Sequence, residues 1–398
     1  MIVKMRQGAT RAQISAVERL LRELEFETGK MPGKDHTLIG VYGDVSQAPR
    51  GRIFEMPGVE EIISISRAYK RATQKGTGTD RFYSTFPIGN VTIGGGDLVV
   101  VAGPCSIESE RQMMEAARIM KDAGAHVLRG GVHKYRSSPY SGWEGIGAQS
   151  TDDLIEGLRY IVRAGREHQM PVVVEILDPS LINVYEDAGV DCLQIGEPNS
   201  RNTILLNALR GTDLPVIHKR GNSLDPEDYL LWVERMMING KENIILCERG
   251  VTGPSQYTRN TLDLGSIAAF HHQLTHLPAA IDASHGTGNR DLVHPMTLAG
   301  ILAGASVLLV EAHPNPLVAK SDGFQTLFPE QIGNLVEATK EVWKLRETIA
   351  HLYVPSAALE PIYEKRVSDD RERLFGRAKT VVGKGTLEEG GGDRAAQL

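Results

Sequence analysis

Eight short apolar runs, spaced at roughly 25–35 residues and separated by segments of helical periodicity, constrain this chain more than any other feature. They fall at 98–104, 126–131, 171–177, 192–196, 215–221, 243–250, 278–285 and 306–313. Their β-branched, nearly uninterrupted apolar character suits strands buried on both faces of a parallel sheet. Between them, segments such as 109–123 and 152–163 carry apolar residues at amphipathic helical spacing. Eight βα units closing on themselves make an α/β fold of the (β/α)8 TIM-barrel type, with an open doubly wound sheet as the alternative. A barrel takes about 250 residues. The chain has 398, which leaves room for one small further unit.

That unit is expected at 1–66. Residues 1–6 alternate like a strand, and 11–24 place Ile14, Val17, Leu20, Leu21 and Leu24 at helical spacing. Residues 37–42 and 59–66 are further apolar runs, with a short helical piece between them. The pattern is βαββαβ-like, a small ferredoxin-like α+β domain of the kind used in regulation. Residues 67–85, polar and rich in Gly and Thr, are expected as a linker. Residues 86–97 are expected to form a hairpin that opens a barrel domain over 86–354. From about 355 the chain turns polar, and 383–398 (GKGTLEEGGGDRAAQL) has the composition of a disordered tail.

Composition excludes several classes. An apolar fraction of 41% and a charged fraction of 24% supply an ordinary large core. A net charge of −6 gives no basic face for nucleic acid. Three cysteines cannot make a disulfide scaffold and fit a reducing compartment. No run of 18 or more residues is continuously apolar, so no membrane span is expected, and the opening MIVKMRQGATRAQ lacks the apolar segment of a secretory signal. The expectation is a cytoplasmic enzyme.

Polar residues gather where the strands end, and in a TIM barrel the C-terminal rim carries the chemistry. Cys105 follows the first run, His285 ends the seventh, Glu311 lies in the eighth and Asp322 in the loop beyond it. In a closed barrel the first, seventh and eighth strands are consecutive, so these four can converge on one ion. A mixed S/N/O/O donor set suits Mn2+, Fe2+, Zn2+ or Co2+, and composition does not choose among them. Alone, Cys105 would read as a small buried apolar residue, and His285 or Glu311 as hydrogen-bonded rim residues. Cys192 and Cys247 fall inside strand patterns and read as packing residues.

Cations mark the other part of the rim: Lys134 and Arg136 after the second run, Arg201 after the fourth, Lys219 and Arg220 at the end of the fifth, Arg249 at the end of the sixth, and Arg290 beyond the seventh. Surface Lys and Arg are usually solvated. Lys219, Arg220 and Arg249 instead follow apolar strand residues directly, and Arg forks with Lys ammoniums on one rim suit carboxylate and phosphate groups.

In these stretches the chain resembles the type I 3-deoxy-heptulosonate 7-phosphate (DAHP) synthases, specifically the beta subgroup with an N-terminal ferredoxin-like domain. The stretches are GPCSIES (103–109), KYRSSPYSG (134–142), LQIG (193–196), KRGNS (219–223), ILCERG (245–250), YTRNTLDL (257–264), DASHGTGNRD (282–291) and EAHPNPLVAKSDG (311–323), over residues 1 to about 350. The resemblance implies Cys105, His285, Glu311 and Asp322 as metal ligands. It implies Lys134, Arg136, Lys219 and Arg249 as phosphoenolpyruvate contacts, and Ser137 and Ser138 as holders of an aldose phosphate. The implied reaction joins phosphoenolpyruvate to erythrose 4-phosphate, the entry to aromatic (shikimate) biosynthesis, with Lys219 as a proton donor. It further implies a dimer or tetramer and an aromatic amino acid as effector of the N-terminal domain.

Two positions depart from the family pattern. Tyr135 stands where the strand 2 loop normally has proline. QIGEPNSRN places Pro198 at the family's arginine, with Arg201 three residues later. The second spacing is similar to that of the 3-deoxy-octulosonate 8-phosphate synthases, so Arg201 is the expected substitute contact. Two further readings therefore stand beside the first: the same chemistry on another phosphorylated aldose, and a non-catalytic homologue that binds small anionic metabolites.

Overall fold

The fold is described from a computed structural model covering residues 1–32, 37–42, 45, 48–63, 67–74, 83–134, 140 and 143–353. The N-terminal elements are β1 (Ile2–Met5), α1 (Arg11–Glu23), β2 (Glu27–Pro32), β3 (Thr37–Tyr42), α2 (Arg50–Phe54) and β4 (Val59–Ile63). They form one antiparallel sheet in the order β2-β3-β1-β4, the ferredoxin-like arrangement. Helix α1 starts at a capping box in which Thr10 and Gln13 satisfy each other's backbone amides. Its Ile14, Val17, Leu20 and Leu21 pack with Val3, Met5, Ile39 and Val41 of the sheet. Strand β2 was absent from the sequence expectation: ETGKMP is a polar edge strand, paired on one side only, and has no apolar run to betray it.

A two-stranded hairpin, β5 (Phe86–Ile88) and β6 (Val91–Ile93), precedes the barrel. The barrel strands are β7 (Val99–Gly103), β8 (Val127–Gly130), β9 (Val172–Glu175), β10 (Cys192–Ile195), β11 (Val216–Lys219), β12 (Ile244–Glu248), β13 (Ala279–Ile281) and β14 (Val307–Glu311). All eight are parallel and close through β14 against β7. Each expected run contains one of them. The helices between are α3 (Glu110–Asp122), α4 (Thr151–Glu167), α5 (Ile182–Asp187), α6 (Thr203–Ala208), α7 (Pro226–Ile238), α8 (Leu264–Ala269), α9 (Ala283–Thr287), α10 (Arg290–Ala303) and α11 (Pro329–Ile349). The seventh run was expected to stay extended to 285; it leaves the sheet after Ile281 and coils into α9.

Strand residues alternate between the inside of the barrel and the helical layer. Val101, Val127, Val173, Cys192, Ile217, Cys247, Ala280 and Leu309 form an inner core with Phe86, Ile88 and Ile93 of the hairpin. Their strand neighbours, among them Ala102, Leu128, Val174, Leu193, Val216 and Leu246, join the core under the helices. Two residues beyond each inner apolar position the same alternation brings Arg129, Glu175, Gln194, Lys219, Arg249, Asp282 and Glu311 to the inside. On β7 the equivalent step is Gly103, and the next is Cys105. The barrel interior thus changes from an apolar floor to a polar upper layer within one pleat.

The segment expected as a linker is in part built into this domain. Tyr69 and Ala72 are buried in the core under the helices. The amides of Lys70, Arg71 and Ala72 donate at 2.9, 2.9 and 3.0 Å to the buried carboxylate of Glu234 on α7. Residues 1–75 and 81–343 make up one compact unit. The proposed tail lies outside the described residues. Among the described residues no helix is long and apolar enough to cross a membrane.

Candidate metal centre and cationic mouth

One donor atom from each of Cys105, His285, Glu311 and Asp322 lies within 4.8 Å of the other three. The fold brings them together simply. Strand β14 pairs with β7 so that Glu311 sits opposite Gly103, two residues before Cys105. Gly103 is required there: its φ is +152°, and a Cβ would stand 2.4 Å from the Arg129 carbonyl of the next strand. The Cys105 thiol donates to Asp322 Oδ2 at 2.9 Å, and the Lys134 ammonium donates to the sulfur at 2.8 Å. Burial, with the Glu311 carboxylate, pushes the Cys105 thiol up, while Lys134 pulls the other way.

His285 is fixed by Asp282. One carboxylate oxygen caps α9 by accepting from the His285 amide at 3.0 Å, and the other lies 2.8 Å from ring Nδ1 and 2.7 Å from the Lys219 ammonium. The other ring nitrogen, Nε2, lies 3.3 Å from Glu311 Oε1. Burial alone would raise the Glu311 carboxyl, but His285, Arg129 and Lys134 outweigh it and hold it well below the usual carboxylate range. Arg129 bonds Glu311 Oε1 at 2.8 Å and Gln325 bonds Oε2 at 2.5 Å. A buried thiol, an imidazole oriented by Asp282 and two ionised carboxylates fit a divalent cation, and the Asp282–His285 pair is the outer support such sites use.

The expected cations divide by strand parity. Lys219 and Arg249 point inward and are buried, and Arg249 Nε has no hydrogen-bond partner. Arg220 does not join them. One residue after Lys219, it projects into the wall, where its guanidinium bonds Glu248, Ser266, Asp263 and the Leu224 carbonyl. Arg201 is exposed and lines a groove against α7 with Leu224, Asp228, Leu231, Trp232 and Arg235. Arg290 is turned onto the loop after β14 and bonds the carbonyls of Gly323 and Thr326. Arg136, Ser137 and Ser138, with Tyr135, lie outside the described residues. Cys192 and Cys247 pack in the inner barrel core.

Four polar residues of the mouth were given no role in the sequence reading: Arg129, Asp282, Glu175 and Gln194, of which Asp282 and Gln194 stood inside quoted motifs. Each sits two positions past an inward apolar residue, so counting alternate residues along each strand would have found them. Arg259, half-exposed and 3.4 Å from Asp322 Oδ1, was quoted only as part of a motif.

A barrel with a four-donor cluster and inward cations on the same rim has the layout of an enzyme site, one suited to a divalent cation and to small anionic groups. The pattern of the DAHP synthetase I family matches residues 69–350, and that of the DAHP synthase ferredoxin-like domain matches residues 1–67. The chain belongs to the DAHP synthetase I family. Phospho-2-dehydro-3-deoxyheptonate aldolase of Thermotoga maritima is 36% identical over 343 residues, covering 86% of this chain and 97% of that protein. The crystal structure of DAHP synthase from the same organism matches with a TM-score of 0.73 at 33% identity, over 86% of this chain and 97% of that one. The 2-dehydro-3-deoxyphosphooctonate aldolase of Protochlamydia amoebophila is 30% identical over 266 residues, 62% of this chain and 92% of its own.

Proposed function

We propose that this enzyme condenses phosphoenolpyruvate with erythrose 4-phosphate to give DAHP and inorganic phosphate, at the C-terminal mouth of the barrel. The observation that carries the reading is the four-donor cluster standing on the same rim as Lys134, Lys219 and buried Arg249, whose Nε has no hydrogen-bond partner. The heptulosonate-type relative is 36% identical and the octulosonate-type one 30%, and residues 1–67 match the DAHP synthase ferredoxin-like domain, which favours the heptulosonate reaction and its four-carbon aldose.

Cys105, His285, Glu311 and Asp322 would hold the cation. Mn2+, Fe2+, Zn2+ and Co2+ would all suit that set, and the Lys134 ammonium beside the Cys105 sulfur would favour the thiolate that such a ligand must become. When bound, a divalent ion supplies Lewis-acid polarisation of a carbonyl oxygen. Arg249 and Lys134 hold the anionic groups of phosphoenolpyruvate, converting a two-body encounter into an oriented one. In the reaction C3 of phosphoenolpyruvate bonds to the aldehyde carbon, water adds at C2, and the C2–O bond to phosphate breaks. Lys219 delivers a proton to the aldehyde oxygen as the new hydroxyl forms, and Asp282 orients the ammonium meanwhile.

The domain limits of the same reading are 1–66 for the ferredoxin-like unit and 86–354 for the barrel, joined by 67–85. The family resemblance supports an aromatic amino acid as effector of the first domain and a dimer or tetramer; three free cysteines suit a cytoplasmic location. One assay separates the alternatives: Mn2+, phosphoenolpyruvate and a panel of four- and five-carbon aldose phosphates, with phosphate release measured. Release with erythrose 4-phosphate is expected. Release with another sugar alone selects the octulosonate-like reading, and none at all the non-catalytic one. Tyrosine or phenylalanine should inhibit the full chain but not a chain shortened to start at Arg67, which retains Tyr69 in the barrel core.

A further inference from the structure

The loop over residues 322–328 carries one donor of the cluster, Asp322, and supports a second, because Gln325 Nε2 donates to Glu311 Oε2. It is an unusual piece of backbone. Asp322 stands at φ +53°, a left-handed conformation that residues with a Cβ keep only where their surroundings hold them. Phe324 at the loop apex is 92% exposed, so apolar burial does not anchor that part of it.

Buried Leu327 ties the far end of the loop to β14, its amide donating to the Glu311 carbonyl at 2.9 Å, and the span between Asp322 and Leu327 is gripped by Arg290, the first residue of α10. Its Nε donates to the Thr326 carbonyl and its Nη2 to the Gly323 carbonyl, both at 2.5 Å. Its amide donates to the Phe324 carbonyl at 3.2 Å, and its guanidinium lies 4.3 Å from the centre of the Phe328 ring. Inside the loop, Thr326 Oγ1 returns to the Asp322 carbonyl at 2.8 Å, so the carbonyl that Arg290 grips belongs to the residue that closes the turn on Asp322. A planar fork with fixed donors can span two carbonyls in this way; an ammonium cannot reproduce it.

We propose that Arg290 is a positioning residue for the cation centre rather than a substrate contact: it sets the left-handed turn that aims Asp322, and the placement of Gln325 on Glu311. The inference rests on the metal reading of the four-donor cluster.

The test is Co2+ titration of the full-length chain and of Arg290→Lys and Arg290→Met, followed by the thiolate-to-cobalt absorption band and by competition with a chelator. Outer supports of metal ligands are worth about 10–100-fold in affinity, and a loss of that size is expected in both variants. Melting followed by circular dichroism separates loop effects from global unfolding, and Arg290→Lys decides the matter if Arg290→Met does not fold. At saturating Co2+ the KM for each substrate should match wild type. Unchanged Co2+ affinity with a raised KM would overturn the proposal and return Arg290 to the substrate. Absence of the cobalt band from the wild-type chain would instead remove the metal reading beneath it.

Discussion

Asp282 and His285 are joined twice, backbone amide to Oδ1 at 3.0 Å and ring Nδ1 to Oδ2 at 2.8 Å, so one carboxylate fixes both the position and the orientation of the His285 ring. The same oxygen neutralises buried Lys219. Asp282→Asn should therefore weaken divalent-metal binding by about 10–100-fold. It should also destabilise the fold by about 3–5 kcal/mol, because a buried ammonium loses its counter-charge. Chelator competition and urea unfolding read the two effects separately. Retained metal affinity would mean that the ring is oriented by something else.

Lys219→Met tests the proton-transfer role. With the ammonium gone, kcat should fall by about 10²–10⁴, the usual range for a positioned acid or base. A variant whose turnover is intact and whose KM for phosphoenolpyruvate alone is raised would make Lys219 a binding residue only.

Arg220 and Arg249 give opposite expectations despite their similar places in the sequence. Arg220→Met leaves buried Glu248 without its main cation and should cost about 3–5 kcal/mol of stability with little change in the KM for phosphoenolpyruvate. Arg249→Met should raise that KM and leave the melting temperature nearly unchanged, since Arg249 Nε has no partner to lose. Steady-state kinetics and thermal melts on the pair check this, and a KM effect at Arg220 would contradict its assignment to the wall.

The contrast between Lys219 and Arg220 also shows what was legible in the sequence and what was not. The eight runs could be read because parallel strands buried on both faces leave nearly continuous apolar signatures. The four ligand-type residues could be read because they end or follow runs that closure makes adjacent. Reading by strand ends alone groups Lys219 with Arg220 and overlooks Arg129 and Asp282. Strand parity decides which side chains face the mouth, and a one-residue step reverses the direction. Arg290 and Arg201 follow loops whose path no periodicity describes, so their destinations required the tertiary fold. The polar β2 and the helical turn after Ile281 were hidden for the related reason that neither presents an apolar repeat.

His218, between Ile217 and Lys219, points into the wall and stacks on Tyr229 with ring centres 5.2 Å apart. Its Nε2 donates to the Ser200 carbonyl at 3.1 Å, while Nδ1 is buried without a partner. Burial pulls its pKa down from 6.5 to about 4. Below pH 6.5 the unfolded chain therefore takes up a proton that the folded chain refuses. The contribution is complete above that pH and is lost as pH falls towards about 4, a change of about 3 kcal/mol. His218→Phe should flatten the fall in urea stability between pH 6.5 and 4.5. An unaltered slope would show that the ring protonates in place.

The central claim is that a thiol, an imidazole and two carboxylates share one ion. Anomalous diffraction at the zinc edge, from crystals of the full chain grown with Zn2+, tests it most directly. The account predicts one strong peak per chain at the barrel mouth, about 2.3 Å from Cys105 Sγ and about 2.0–2.1 Å from His285 Nε2, with Glu311 and Asp322 completing the shell. A mouth without a peak, or a peak bound elsewhere while these four side chains keep their mutual hydrogen bonds, would contradict it.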